Sequence, residues 1–117
     1  MIKKSLNEIS KLLEGCELIE MVKKEGSCSL KFEDWHTNTK YKLSFDGYIF
    51  DMQGCVMGGT VKIAVFRFMD GKLDEYLKLN KVDPSVYNQF YLQISTPING
   101  IKYDVFAAVK NHKFKEL

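Results

Sequence analysis

Arginine is nearly missing from this sequence: Arg67 stands alone beside sixteen lysines. The planar guanidinium fork is what grips phosphates and guanine edges at two points. With a net charge of only +2 there is also no clustered surplus to neutralise a phosphate backbone. No nucleic-acid partner is expected. Histidine occurs twice (His36, His112), and Cys16, Cys28 and Cys55 lie 12 and 27 positions apart with no C-x-x-C spacing. That pattern does not make a structural zinc site, and neither a metal nor a cofactor is expected. Three reduced thiols suit a cytosolic chain, while a disulfide with one thiol left over stays open. Two prolines and eight glycines do not make a fibrous or low-complexity chain. No apolar run approaches the ~20 residues needed to cross a bilayer. Lys3 and Lys4 are soon followed by Asn7, Glu8, Ser10 and Lys11, which breaks the apolar core of a signal peptide. Leu13-Glu14-Gly15-Cys16 mimics a lipid-attachment box but has Glu where a small residue belongs. A cytoplasmic protein with no membrane partner is expected.

What is present fits one domain over residues 1–117: 45% hydrophobic and 27% charged residues, with eight Phe, six Tyr and one Trp for a core. Ser5 and Glu8 have capping-box spacing, and Leu6, Ile9, Leu12 and Leu13 recur at helical intervals. The spacing predicts an amphipathic helix over 6–14, too short to stand without docking its apolar stripe. Leu18, Ile19, Met21 and Val22, a turn at Gly26-Ser27, and the alternation of Cys28, Leu30 and Phe32 predict a hairpin. Tyr41, Leu43 and Phe45 alternate with Lys42, Ser44 and Asp46 as in a half-buried strand.

Asp46-Gly47 admits two readings, a two-residue hairpin turn or a glycine bulge in one long strand. Either would put Tyr41, Leu43, Phe45, Tyr48, Phe50 and Met52 on one face. Residues 61–68 are apolar on both parities, as in a strand covered on two sides. Asp70 is placed to cap a helix over 72–79 that stops at Asn80, and Asp83-Pro84 begins a turn or a single helical turn. Asn99-Gly100 suits a type I′ turn, which would set Ile98 against Ile101, Ile94 against Val105, Leu92 against Ala107 and Phe90 against Val109. On the outside the same register puts Gln93 beside Phe106 and Tyr91 beside Ala108. Pro97 would leave that end as a sheet edge. The fold class is α+β: an N-terminal helix on a curved or partly closed antiparallel sheet of five to seven strands, with a short helix before a C-terminal β-hairpin.

Each candidate chemistry meets a plainer explanation. The run 54–60 is glycine-rich but lacks the G-K-[ST] ending of a phosphate loop and leads into a strand, so it reads as a connection. Cys55 would be the least buried thiol and the best candidate nucleophile, yet nothing in the sequence places it near His36 or His112. The acids Glu33-Asp34, Asp46, Asp51 and Asp74-Glu75 sit at turns or helix starts. Tyr41-Lys42-Leu43 and Lys102-Tyr103 read as strands with a wet and a dry face rather than as a base-stacking platform. Trp35, between Asp34 and His36, either caps the core or anchors a partner.

A non-enzymatic protein-binding domain is therefore expected, with Trp35, His36, Tyr91 and Phe106 as its partner-binding residues or as a self-association surface. The meander Leu30-Lys31-Phe32-Glu33-Asp34-Trp35 followed by Tyr41-Lys42-Leu43-Ser44-Phe45, with a leading helix and near-neutral charge, resembles in layout the small bacterial immunity proteins directed against polymorphic toxins. The resemblance implies an inhibitor that occludes a toxin's active site. The contrasting expectation is a small-ligand binder with an apolar pocket lined by Phe45, Phe50, Phe66 and Tyr91.

Overall fold

The first helix, α1 (Leu6–Leu13), begins where the sequence says it should. The Ser5 hydroxyl accepts from the Glu8 backbone N–H at 3.2 Å, and the Glu8 carboxylate accepts from the Ser5 N–H at 3.3 Å. These bonds satisfy donors that a helix start leaves unpaired. Ile9 and Leu13 on its apolar stripe are fully buried. The computed structural model describes residues 5–51, 58–68, 71–96 and 100–117. After α1 come β1 (Glu17–Lys24), β2 (Ser27–Asp34), β3 (Thr39–Asp51) and β4 (Thr60–Phe68). Then follow α2 (Gly71–Leu79), a single 3₁₀ turn at Pro84–Val86, β5 (Asn88–Ser95) and β6 (Lys102–Glu116). No helix among the described residues is long and apolar enough to cross a membrane.

The α+β class and the order of elements are as the sequence indicates. The sheet goes further than partial closure: all six strands pair antiparallel into a closed barrel, in the order β1-β2-β3-β6-β5-β4. Closure is completed at a short seam. Glu17 pairs with Thr60, and the backbone bonds Leu18 N to Gly59 O (2.9 Å), Gly58 N to Leu18 O (2.9 Å) and Val61 N to Cys16 O (2.8 Å) join β1 to β4. Beside this seam α1 packs against β4. The interior holds Leu18, Leu30, Phe32, Leu43, Val61, Phe90, Leu92, Ile94, Val105 and Val109 together with Ile9 and Leu13 of the helix. Each such side chain contributes about 1.5–3 kcal/mol by leaving water.

Bulges decide which residues face inward. In β1 the register slips between Leu18 and Glu20, which is why Leu18-Ile19 and Met21-Val22 do not alternate. In β4 it slips between Val61 and Ile63, so that Val61 and Ala64 are buried and Phe66 packs on the core. The coverage on both sides expected for 61–68 is thereby corrected: Ile63 and Val65 point outward, each 39% exposed.

Asp46-Gly47 is not a hairpin turn, because β3 runs through it. Opposite, in β6, the pairing passes from Ser44↔Lys113 to Asp46↔Lys110, and the extra residue includes Asn111 in left-handed backbone (φ +50°). Because the insertion is in β6, the parity of β3 is unbroken. Tyr41, Leu43, Phe45 and Ile49 face the core, while Tyr48 and Phe50 fall on the outer side, contrary to the single shared face expected for them. Met52 lies outside the described residues.

The C-terminal hairpin is also corrected. Leu92 pairs with Val105, Phe90 with Ala107 and Ile94 with Tyr103, two residues away from the register that a two-residue Asn99-Gly100 turn imposes. A slip of two preserves every inward face, so core matching does not distinguish the registers. The longer loop is closed by Thr96 N to Ile101 O (3.0 Å) and Gly100 N to Thr96 O (3.1 Å), with Gly100 at φ +68°. Ile98 and Pro97 lie outside the described residues. The sheet edge expected at Pro97 therefore also lies outside the described residues, while Asn88–Ser95 is bonded to β4 on one side and β6 on the other. The short helix follows the fourth strand, and the residue in left-handed backbone just after it is Lys81 (φ +61°) rather than Asn80. Asp70, its expected cap, lies outside the described residues.

Candidate functional site

The core cluster packs inside the barrel, and the positions between its members face outward. The corrected register lines up Val65, Tyr91, Phe106 and Phe50 on four neighbouring strands, β4, β5, β6 and β3. All four positions are outward, since their chain neighbours Ala64, Phe90, Leu92, Val105, Ala107 and Ile49 belong to the core. Tyr91 and Phe106 are half-buried, with ring centroids 5.1 Å apart and planes tilted by 34°. This is the offset geometry aromatic pairs prefer. The Tyr91 hydroxyl donates to an Asp104 carboxylate oxygen at 2.6 Å, and the Gln93 amide donates to the Tyr91 oxygen at 3.4 Å. A polar margin thus fixes the ring's tilt. Gln89 and Ala108, partners in the next outward row, are buried, so the surface is covered there and open one row on.

Trp35 and His36 stand elsewhere. They occupy the turn between β2 and β3, and the Trp35 indole N–H donates to Glu17 at 2.9 Å, beside the β1–β4 seam. Trp35 is 62% exposed, so it does not cap the core. His36 is exposed and gives only its backbone N–H, to Asp34 at 2.9 Å. Tyr91 and Phe106 share a row on β5 and β6. Trp35 and His36 lie beyond the Thr39 end of β3, whereas the row of Tyr91 and Phe106 crosses β3 at Phe50.

The apolar ligand pocket proposed from sequence does not assemble from its four residues. Phe45 is in the core and Phe66 stacks on Phe90 at 4.1 Å, whereas Phe50 and Tyr91 belong to the outward row. Two of the thiols are buried against backbone carbonyls. Cys16 is buried, donates to the Leu12 carbonyl at 3.2 Å, and is pushed up to about 11 by burial and by the nearby Asp34 charge. Cys28 is buried, its thiol 3.5 Å from the Gly47 carbonyl, and burial pushes it up as well. A thiol held protonated is a poor nucleophile. Cys55 and the loop 52–57 lie outside the described residues. Among the described residues no three His, Cys, Asp or Glu side chains gather as a metal site would require.

One further surface joins the basic C-terminal stretch to residues distant in sequence. On the outer side of β1, β2, β3 and β6 a groove of about 480 Å³ is lined by Val22, Lys24, Ser29, Ser44, Asp46 and Lys113, among others. Its floor is the cross-strand pair Ser29↔Ser44, and the adjacent outward row is Lys31↔Lys42↔Lys115. Lys113 and Lys115 belong to the basic stretch 110–115 that the sequence itself shows, whereas Lys24, Lys31 and Lys42 come from distant positions that only the register brings beside it. Compared with known proteins, the chain matches no family model, no curated protein and no solved structure.

Proposed function

We propose that this chain is a non-catalytic protein-binding domain whose recognition face is the outward row Val65, Tyr91, Phe106 and Phe50. The supporting observation is that row itself, an apolar and aromatic stripe across four strands outside a barrel whose inside is already occupied. Aromatic residues are favoured at protein interfaces because they remove much area from water at small entropic cost. Gln93 and Asp104 at its margin supply the polar rim such interfaces carry. The partner is a foreign protein offering an apolar side chain to the row. In the more specific form implied by the general layout, that protein is a toxin domain whose active site is occluded.

The test is affinity capture with the unaltered protein and with Tyr91→Ser combined with Phe106→Ser, the fold of each checked by amide spectra. A stoichiometric partner that is retained by the first and lost by the second supports the reading. A partner retained equally by both contradicts it. Light scattering of the protein alone reports self-association through the same row, which would replace the foreign partner by a second copy.

A further inference from the structure

We propose that the serine-floored groove outside β1, β2, β3 and β6, together with the lysine row beside it, is a docking site for an acidic peptide segment of a partner protein. This goes beyond the aromatic row and does not rest on it. The two surfaces divide β3 and β6 between them: Tyr48–Asp51 and Asp104–Ala108 on one side of the Asn111 bulge, Thr39–Ser44 and Lys113–Glu116 on the other, with Asp46 at the boundary.

The charge pattern carries the inference. Lys31, Lys42 and Lys115 occupy one outward row across three bonded strands, and Lys113 is next to Ser44 in the following row. Neighbouring strands are ~4.8 Å apart, so these ammonium groups repel one another, and like charges directly opposite weaken a sheet. One acid answers them: Glu20 bonds Lys31 at 3.1 Å. Asp46, at the groove's end, instead accepts from the Asn111 amide at 3.0 Å. Among the described residues Lys24, Lys42, Lys113 and Lys115 make no ion pair.

Two ordinary explanations for such lysines fail here. Lysine often guards a sheet edge against pairing, but β2, β3 and β6 each have bonded strands on both sides. Solubility is served by mixed signs, and although the flanking rows hold Glu17, Glu33 and Asp46, the two rows between them carry Lys31, Lys42, Lys113 and Lys115 against Glu20 alone. The floor also fits a ligand: Ser29 and Ser44 are small enough to leave a trough and bring two hydroxyls to its base.

The chemistry favours carboxylates. No arginine lines the groove to fork onto phosphate, and no outward aromatic ring stands among these lysines to stack a base, as single-stranded nucleic acid binding requires. An extended acidic segment needs neither. Its carboxylates would meet Lys24 and Lys113 in the groove and Lys31, Lys42 and Lys115 in the row beside it.

The experiment uses a labelled ten-residue polyglutamate peptide and a ten-nucleotide oligothymidine, each titrated into the full chain at low and physiological salt. Fluorescence anisotropy gives affinity and amide spectra give the location. Peptide binding that weakens with salt, with shifts at Ser29, Ser44 and Lys113 and none at Tyr91 or Phe106, is the expected result. Lys42→Gln with Lys113→Gln should weaken it about tenfold, and Lys11→Gln with Lys81→Gln, away from the groove, should not. The shift map needs no variant and stands if a substitution disturbs folding. Absence of peptide binding at low salt, shifts centred elsewhere, equal loss from the two lysine pairs, or tighter binding of the oligonucleotide would each overturn the proposal.

Discussion

At the scale of single residues, the chain hides its polar chemistry or spends it on geometry. Cys16 is the clearest case, because its thiol is buried beneath α1 and held protonated up to about 11, against an ordinary value of 9.0. Between those two values the unfolded chain gives up a proton that the folded chain keeps, so stability must fall as pH rises through that window and is untouched below it. Urea unfolding of the unaltered protein should therefore weaken more steeply from pH 9 to pH 11 than that of Cys16→Ala, and parallel curves would remove the burial argument. Gly47 shows the limit of reading a residue by its local pattern. Asp46-Gly47 looks like a turn, but the glycine stands there (φ +147°) because a Cβ would overlap the Ala108 carbonyl oxygen. Only the partner strand reveals this, and it arrives more than sixty positions later in the chain.

Among the elements, those defined by nearby residues were legible and those defined by distant partners were not. The capping box, the leucine spacing of α1, the alternation in β2 and the first half of β3, and the turn at Pro84 all rest on contacts within a few positions. Barrel closure and the three bulges depend on pairings across the chain, which periodicity does not encode. The last hairpin lies between these cases, since its faces were legible and its register was two residues off. Nuclear Overhauser contacts should link the backbones of Leu92 and Val105 and of Phe90 and Ala107. Contacts linking Leu92 with Ala107 would restore the two-residue turn. The candidate site follows the same division. Tyr91 and Phe106 could be picked out as outward by alternation alone, but their alignment with Val65 and Phe50 required the register. The lysine groove required four strands at once.

For the whole molecule, the core is enclosed by the sheet curling on itself into a closed barrel. α1 has only to cover the flank beside the β1–β4 seam, where Ile9 and Leu13 join the interior. A closed barrel leaves no long strand edge for a partner to pair with, so on the proposed reading recognition uses side chains on its outside. That is the central claim, and site-specific photo-crosslinking in the source cell tests it most directly. A benzoylphenylalanine placed at Phe106 should yield one stoichiometric protein adduct, while the same group at Lys81, exposed beyond α2, should yield none. The same adducts from both positions, or none from Phe106, would contradict the account.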